Sequence, residues 1–106
     1  MNGEKMNVNE LDIETLKSVF PSEKLRDAYL AIYEHAIKEH KTRFHSIKLI
    51  QIIQQRLGIL RESAAGNYLR LLDKQGAFWH PDSQNPTLVV VKPPHELIDE
   101  KRGGGL

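Results

Sequence analysis

The apolar residues of this 106-residue chain keep a helical period as far as Gly76 and abandon it there. Up to that glycine they recur every three or four positions. Beyond it come Ala77-Phe78-Trp79-His80 and, after a proline-bounded stretch, the β-branched run Thr87 to Val91. A period of 3.6 buries one stripe of a helix, whereas β-branched and aromatic runs suit a pleated strand. At 12.2 kDa there is room for one small domain, so helical stripes and a two-stranded hairpin must share a single core.

The helical part divides at its caps and breakers. Asn9 is placed to cap a helix from Glu10 to about Phe20, with acidic residues in its first turn and a partial apolar face of Leu11, Leu16, Val19 and Phe20. Pro21 stops it. Ser22 starts a longer helix to about Glu39, in which Leu25, Ala28, Tyr29, Ile32, Tyr33, Ala36 and Ile37 form the strongest stripe in the chain. Lys41 to His45 reads as a short extended link. Ser46 then caps a helix carrying Leu49, Ile50, Ile52, Ile53 and Leu57, which Gly58 closes in a left-handed conformation. Ile59 and Leu60 make a tight apolar turn, and a further helix runs from about Glu62 to Gln75, closed by Gly76. Pro81 to Pro86 is a loop between the strands, and Pro93-Pro94 ends the second strand.

This order predicts a mainly α fold with a small β-hairpin, a winged helix-turn-helix. Residues 1–20 are expected to form an N-terminal extension with a short helix, 21–94 the winged domain, and 95–106 a flexible tail. The first eight residues show no periodicity and are expected to be loosely attached, as are Gly103 to Gly105.

Composition excludes several classes. With no cysteine, neither a disulfide framework nor a thiolate metal site can form. No apolar run approaches the roughly 18 residues of a membrane span, and residues 1–10 lack the basic-then-apolar order of a signal peptide, so a cytoplasmic protein is expected. Among the five histidines no pair has the spacing that sets two ligands on one helix face, so no metal or cofactor is expected. Ser63 or Ser83 with a histidine makes no catalytic motif. The expectation is that the protein is not an enzyme.

The net charge of +1 at first argues against a nucleic-acid partner. Divided along the chain it changes meaning. Residues 1–20 hold two basic and four acidic side chains, a net −2; residues 21–80 hold ten and six, a net +4; residues 81–106 hold three and four, a net −1. The basic part is the part with the helix-turn-helix order.

The second helix of such a pair must show one face to the core and the other to the DNA major groove. Ala65, Tyr68, Leu69 and Leu72 form the first face. Ser63, Asn67, Arg70 and Lys74 follow one another at spacings of four, three and four on the other, and each can donate a hydrogen bond. Asn suits an adenine edge, and Arg and Lys suit guanine or phosphate. Ala64 and Gly66 are small enough to let the backbone approach a groove, although Gly66 would equally suit close packing in the core. Any surface helix carries polar residues outside, so an ordinary solvated face is the competing reading.

From Gln54 to Trp79 the run QQRLGILRESAAGNYLRLLDKQGAFW resembles the winged helix-turn-helix of LexA-type repressors. The likeness rests on the Arg-Leu-Gly helix ending, the slightly long turn, the Ala64-Ala65 pair, Leu69, Leu72 and Gly76, and extends over roughly residues 22–92 when the long helix and hairpin are counted. The resemblance implies that Arg61, Ser63, Ala64, Gly66 and Asn67 approach base edges. Gly66 and Asn67 stand where that family has longer acidic side chains, so its operator does not transfer. No peptidase domain fits in these 106 residues, and cleavage-driven derepression is not implied.

The loop Pro81 to Pro86 offers no Arg or Lys to DNA, and Asp82 is acidic, which favours a plain hairpin connection. Phosphate contacts are expected instead from Arg43, His45, Ser46 and Lys48, where helix amides add to side-chain charge. Phe78 and Trp79 read as core or wing-root residues. The helix from Ser22 to Glu39, with Tyr29, Leu30 and Tyr33, could pair with a second copy together with Leu11 to Phe20, giving a homodimer; alternatively, the N-terminal helix covers the chain's own core. The expectation is sequence-specific double-stranded DNA binding by a small repressor-type transcriptional regulator. The alternative is a winged-helix protein-interaction or assembly module, favoured by the non-basic wing and the acidic ends.

Overall fold

The computed structural model describes residues 13–103, and the side chains of residues 16–100. Asn9, Glu10 and Leu11, the first eight residues, and Gly104 and Gly105 lie outside them. In chain order the elements are α1 (Ile13–Val19), α2 (Glu23–Glu39), β1 (Arg43–His45), α3 (Ser46–Leu57), α4 (Glu62–Lys74), β2 (Phe78–Trp79), β3 (Leu88–Val91) and α5 (Pro94–Gly103). The described residues thus form a mainly helical fold with one small antiparallel sheet.

Helix α2 begins where Ser22 Oγ accepts the Leu25 amide at 3.3 Å, a cap that contributes about 1 kcal/mol. Its stripe of Leu25, Ala28, Tyr29, Ile32 and Ala36 is buried against α3 and α4. Arg56 ties α3 back to α2, with Nε 3.1 Å from Asp27 Oδ1 and Nη1 3.0 Å from Glu34 Oε1. The hydrogen bond that Arg56 donates to Glu34 leads in raising the guanidinium above its ordinary pKa. Gly58 ends α3 with φ 67°, and the four residues Gly58 to Arg61 join α3 to α4.

The sheet has three strands in the order β1-β3-β2, both pairs antiparallel. Phe44 lies opposite Val89 and Phe78 opposite Val91, and all four are buried on the helical side. Within Lys41 to His45, expected as a link, Arg43–His45 therefore supply a third strand. Arg-Phe-His has no β-branched residue, and three residues are too few for alternation to show in sequence.

Two expectations about the ends are corrected. Residues 95–103 are not a tail. Pro94 opens α5, Pro93 O accepts the amides of Glu96 at 3.0 Å and Leu97 at 3.3 Å, and Leu97 and Ile98 are buried. Proline suits a first helical position because its missing N–H has no partner there anyway. Nor is α1 an extension, for Leu16, Val19 and Phe20 belong to the core and α1 packs on α5.

Lys92 joins these parts. It is 8% exposed, with Nζ 3.1 and 3.2 Å from the Glu100 carboxylate and 5.3 Å from the centroid of the Trp79 ring. The buried Tyr29 hydroxyl donates to its carbonyl oxygen. The stripe offered for pairing with a second copy is likewise spent inside the chain. Leu16, Val19, Phe20, Tyr29 and Leu30 are buried in a single copy, and Tyr33 packs against the same core. No described helix is long and apolar enough to cross a membrane.

Candidate nucleic-acid interface

Helix α4 is held by its inner face, where Ala65 and Leu72 are fully buried and Tyr68 and Leu69 pack on the core. Fixing that face leaves the other turned outward. Ser63, Asn67, Arg70 and Lys74 are all exposed and share one stripe, as their spacing requires. Arg70 Nη2 donates to Asn67 Oδ1 at 2.6 Å, one turn apart on the same face. Arg61 is the exposed N-cap residue of α4, in extended conformation with φ −87° and ψ 130°, and no side chain caps the helix.

The small residues behave differently. Ala64 and Gly66 are half-buried. A Cβ built on Gly66 would meet Ile50 Cδ1 of α3 at 3.9 Å, an ordinary contact, so core packing does not require a glycine there. Leu71 and Leu60 are the unplanned features. Leu71, beside the donor stripe, is 43% exposed, and Leu60, in the turn before α4, is 94% exposed. The turn is apolar as read, but only Ile59 packs inward.

Arg43, Ser46 and Lys48 form a second group at the junction of β1 and α3. The expectation that Ser46 caps α3 is corrected. Strand β1 runs directly into the helix, so His45 holds the extended cap position, makes no side-chain cap bond, and Ser46 is the first helical residue. The Ser46 amide is engaged by Thr87 O at 2.7 Å, which ties the junction to the base of the β2–β3 loop. Arg43, His45 and Lys48 are exposed around a recess of about 900 Å³ that also includes His35 and Lys41. Lys41 Nζ lies 5.0 Å from the centroid of the Phe44 ring. Its polar neighbourhood in sequence gave Lys41 no distinction; the fold brings it to this recess beside Arg43.

Arg43, Ser46 and Lys48 flank the N-terminal end of α3, while the turn to Arg61 leaves its C-terminal end. The β2–β3 loop is built for its own geometry: Asp82 Oδ1 accepts the Gln84 amide at 2.9 Å and Thr87 Oγ1 donates to Asn85 Oδ1 at 2.9 Å. Asp82 thus holds an Asx turn of the kind that short polar side chains favour. Phe78 is buried, while Trp79 is partly exposed beside Lys92.

Some acidic groups are engaged elsewhere, although Glu39 lines the recess beside Arg43 and Lys48 and Glu62 is exposed next to Ser63. Asp27 and Glu34 are taken by Arg56, and Asp73 lies 2.9 Å from His80 Nε2. Among the described residues no three His, Asp or Glu side chains gather as a metal site would need. No protein-family model, curated protein or solved structure matches the chain.

Proposed function

We propose that the chain is a winged helix-turn-helix protein that binds double-stranded DNA sequence-specifically, as a small transcriptional regulator of the repressor type. The observation that carries this reading is the outward stripe of Ser63, Asn67, Arg70 and Lys74, four exposed hydrogen-bonding side chains on the second helix of a pair joined by four residues. Such a pair sets its second helix in the major groove while neighbouring elements hold the backbone. The strand order β1-β3-β2, with the loop between β2 and β3 as the wing, supports the same reading.

In this arrangement Arg61 and the α4 stripe face base edges. Arg43, Lys41 and Lys48 hold phosphates, helped by the positive end of α3, where no side chain occupies the cap. Ser46 contributes through its hydroxyl, since its amide is already bonded. The homodimer expected from the sequence remains part of this reading, through surface other than the α1 and α2 stripe, which is buried in a single copy.

The second reading, a protein-interaction module on the same fold, is favoured by Leu60 and Leu71, which extend apolar surface beside the stripe. A selection of duplexes from random DNA by the full chain separates the two. The DNA reading expects enriched sequences, with a complex that weakens when Arg43 and Lys48 are both changed to alanine. Recovery of unselected DNA alone, with no effect of the Arg43→Ala, Lys48→Ala double variant, would favour the protein module.

A further inference from the structure

Two hydrogen-bond acceptors on the outer side of α4, Asn67 Oδ1 and the Asp73 carboxylate, are engaged within the molecule, so that apart from the Ser63 hydroxyl, which can donate or accept, the stripe is left with donors. Arg70 Nη2 donates to Asn67 Oδ1 at 2.6 Å. A guanidinium carries only donors, so the Asn67 amide must turn its carbonyl oxygen to Arg70 and its Nδ2 outward. The Asp73 carboxylate, on the flank of the helix, is occupied by His80 Nε2 at 2.9 and 3.0 Å. Glu62 precedes Ser63 and lies about 100° from it around the helix, beside the stripe and not in it. What the stripe presents is the Asn67 Nδ2, the remaining N–H groups of Arg70, the Lys74 ammonium and the Ser63 hydroxyl.

This inventory bears on which base is read. Bidentate recognition of adenine by asparagine needs Oδ1 to accept from N6 while Nδ2 donates to N7, and here Oδ1 is already held by a charged donor. Guanine shows two acceptors, O6 and N7, in the major groove, which matches a face of donors. Resting on the DNA reading above, we infer that the Asn67 and Arg70 pair reads guanine. Arg70 makes the contact to O6 and N7. Asn67 is its positioning residue, fixing the plane of the guanidinium before DNA arrives, so that less side-chain freedom is lost on binding.

The test begins with the duplex enriched by the full chain, in which each protected guanine is replaced in turn by 7-deazaguanine. That base pairs normally but lacks N7. At one guanine the replacement should weaken the wild-type complex roughly 5- to 100-fold and leave the Arg70→Ala complex unchanged. Asn67→Asp retains an acceptor for Arg70 and should retain the preference for guanine over adenine, even where the added negative charge lowers affinity for every duplex. Asn67→Ala should narrow that preference. Both positions are exposed, and far-UV circular dichroism reports whether each variant keeps the fold. An adenine in place of guanine, with discrimination lost in Asn67→Ala and kept in Arg70→Ala, would overturn the inference while leaving the DNA reading intact. Absence of any enriched sequence would overturn the DNA reading itself.

Discussion

His40 is the described residue whose backbone and side chain disagree. It ends α2 at φ 56° and ψ 42°, the left-handed region, which an L side chain enters at a cost. The position is needed because the His40 and Lys41 amides return to Ile37 O at 3.2 Å and Ala36 O at 3.1 Å, satisfying the end of the helix. His40→Gly should therefore stabilise the fold by about 1 kcal/mol, seen as a higher urea midpoint with an unchanged slope. Gly66 makes the opposite case. It sits inside α4 where an added Cβ would make only an ordinary contact, so Gly66→Ala should also stabilise, by about 0.5–1 kcal/mol, with thermal unfolding as the measure. Gly58 was legible from sequence because a glycine after a periodic run marks a left-handed end. His40 was not, since nothing in its side chain signals that conformation. The cap of α3 was misassigned to Ser46 for a related reason: residue preference favours serine, but the strand that precedes the helix puts His45 in the extended position.

At the scale of elements, α2, α3 and α4 were readable within a residue or two because their stripes are long. Helix α5 was missed although its signals are present. Pro94 stands at the first position, Glu96 in the first turn and Leu97-Ile98 as the apolar pair, but ten residues give that pair only one turn in which to repeat. Its place in the core is testable. Leu97 is 2% exposed within the main cluster, so Leu97→Ala should cost about 2–4 kcal/mol of unfolding free energy in denaturant titration. A loss under 0.5 kcal/mol would mean that α5 does not contribute to the core. Strand β1 was beyond reading because its partner, β3, lies more than forty residues further along the chain, and pairing of that range leaves no mark in a three-residue run. The candidate site was more legible than the fold around it. The α4 stripe follows from spacing alone, whereas the bond between Arg70 and Asn67 and the exposure of Leu60 needed the folded helix pair.

The whole molecule carries a charge of +1, and several of its carboxylates are paired while Glu39 and Glu62 stand exposed near the candidate cations. Asp27 and Glu34 are bound on the outer side of α2 and α3, Asp73 is bound by His80, and Glu100 is bound by Lys92, while Arg43, Lys48, Arg61 and Lys74 stand exposed. Near-neutrality then predicts weak attachment to arbitrary DNA, with the cations of Lys41, Arg43 and Lys48 on phosphates giving a slope of about −3 in log affinity against log salt. Specific contacts must supply the rest. The central claim is that the outer face of α4 supplies them. It is tested most directly by measuring, at one fixed salt concentration, the affinity of the full chain for its selected duplex and for a scrambled duplex, and repeating both with the Asn67→Ala, Arg70→Ala double variant. The account predicts that the double variant loses roughly 100-fold on the selected duplex and less than about tenfold on the scrambled one, so that the specificity ratio collapses. An unchanged ratio in a folded double variant would contradict it.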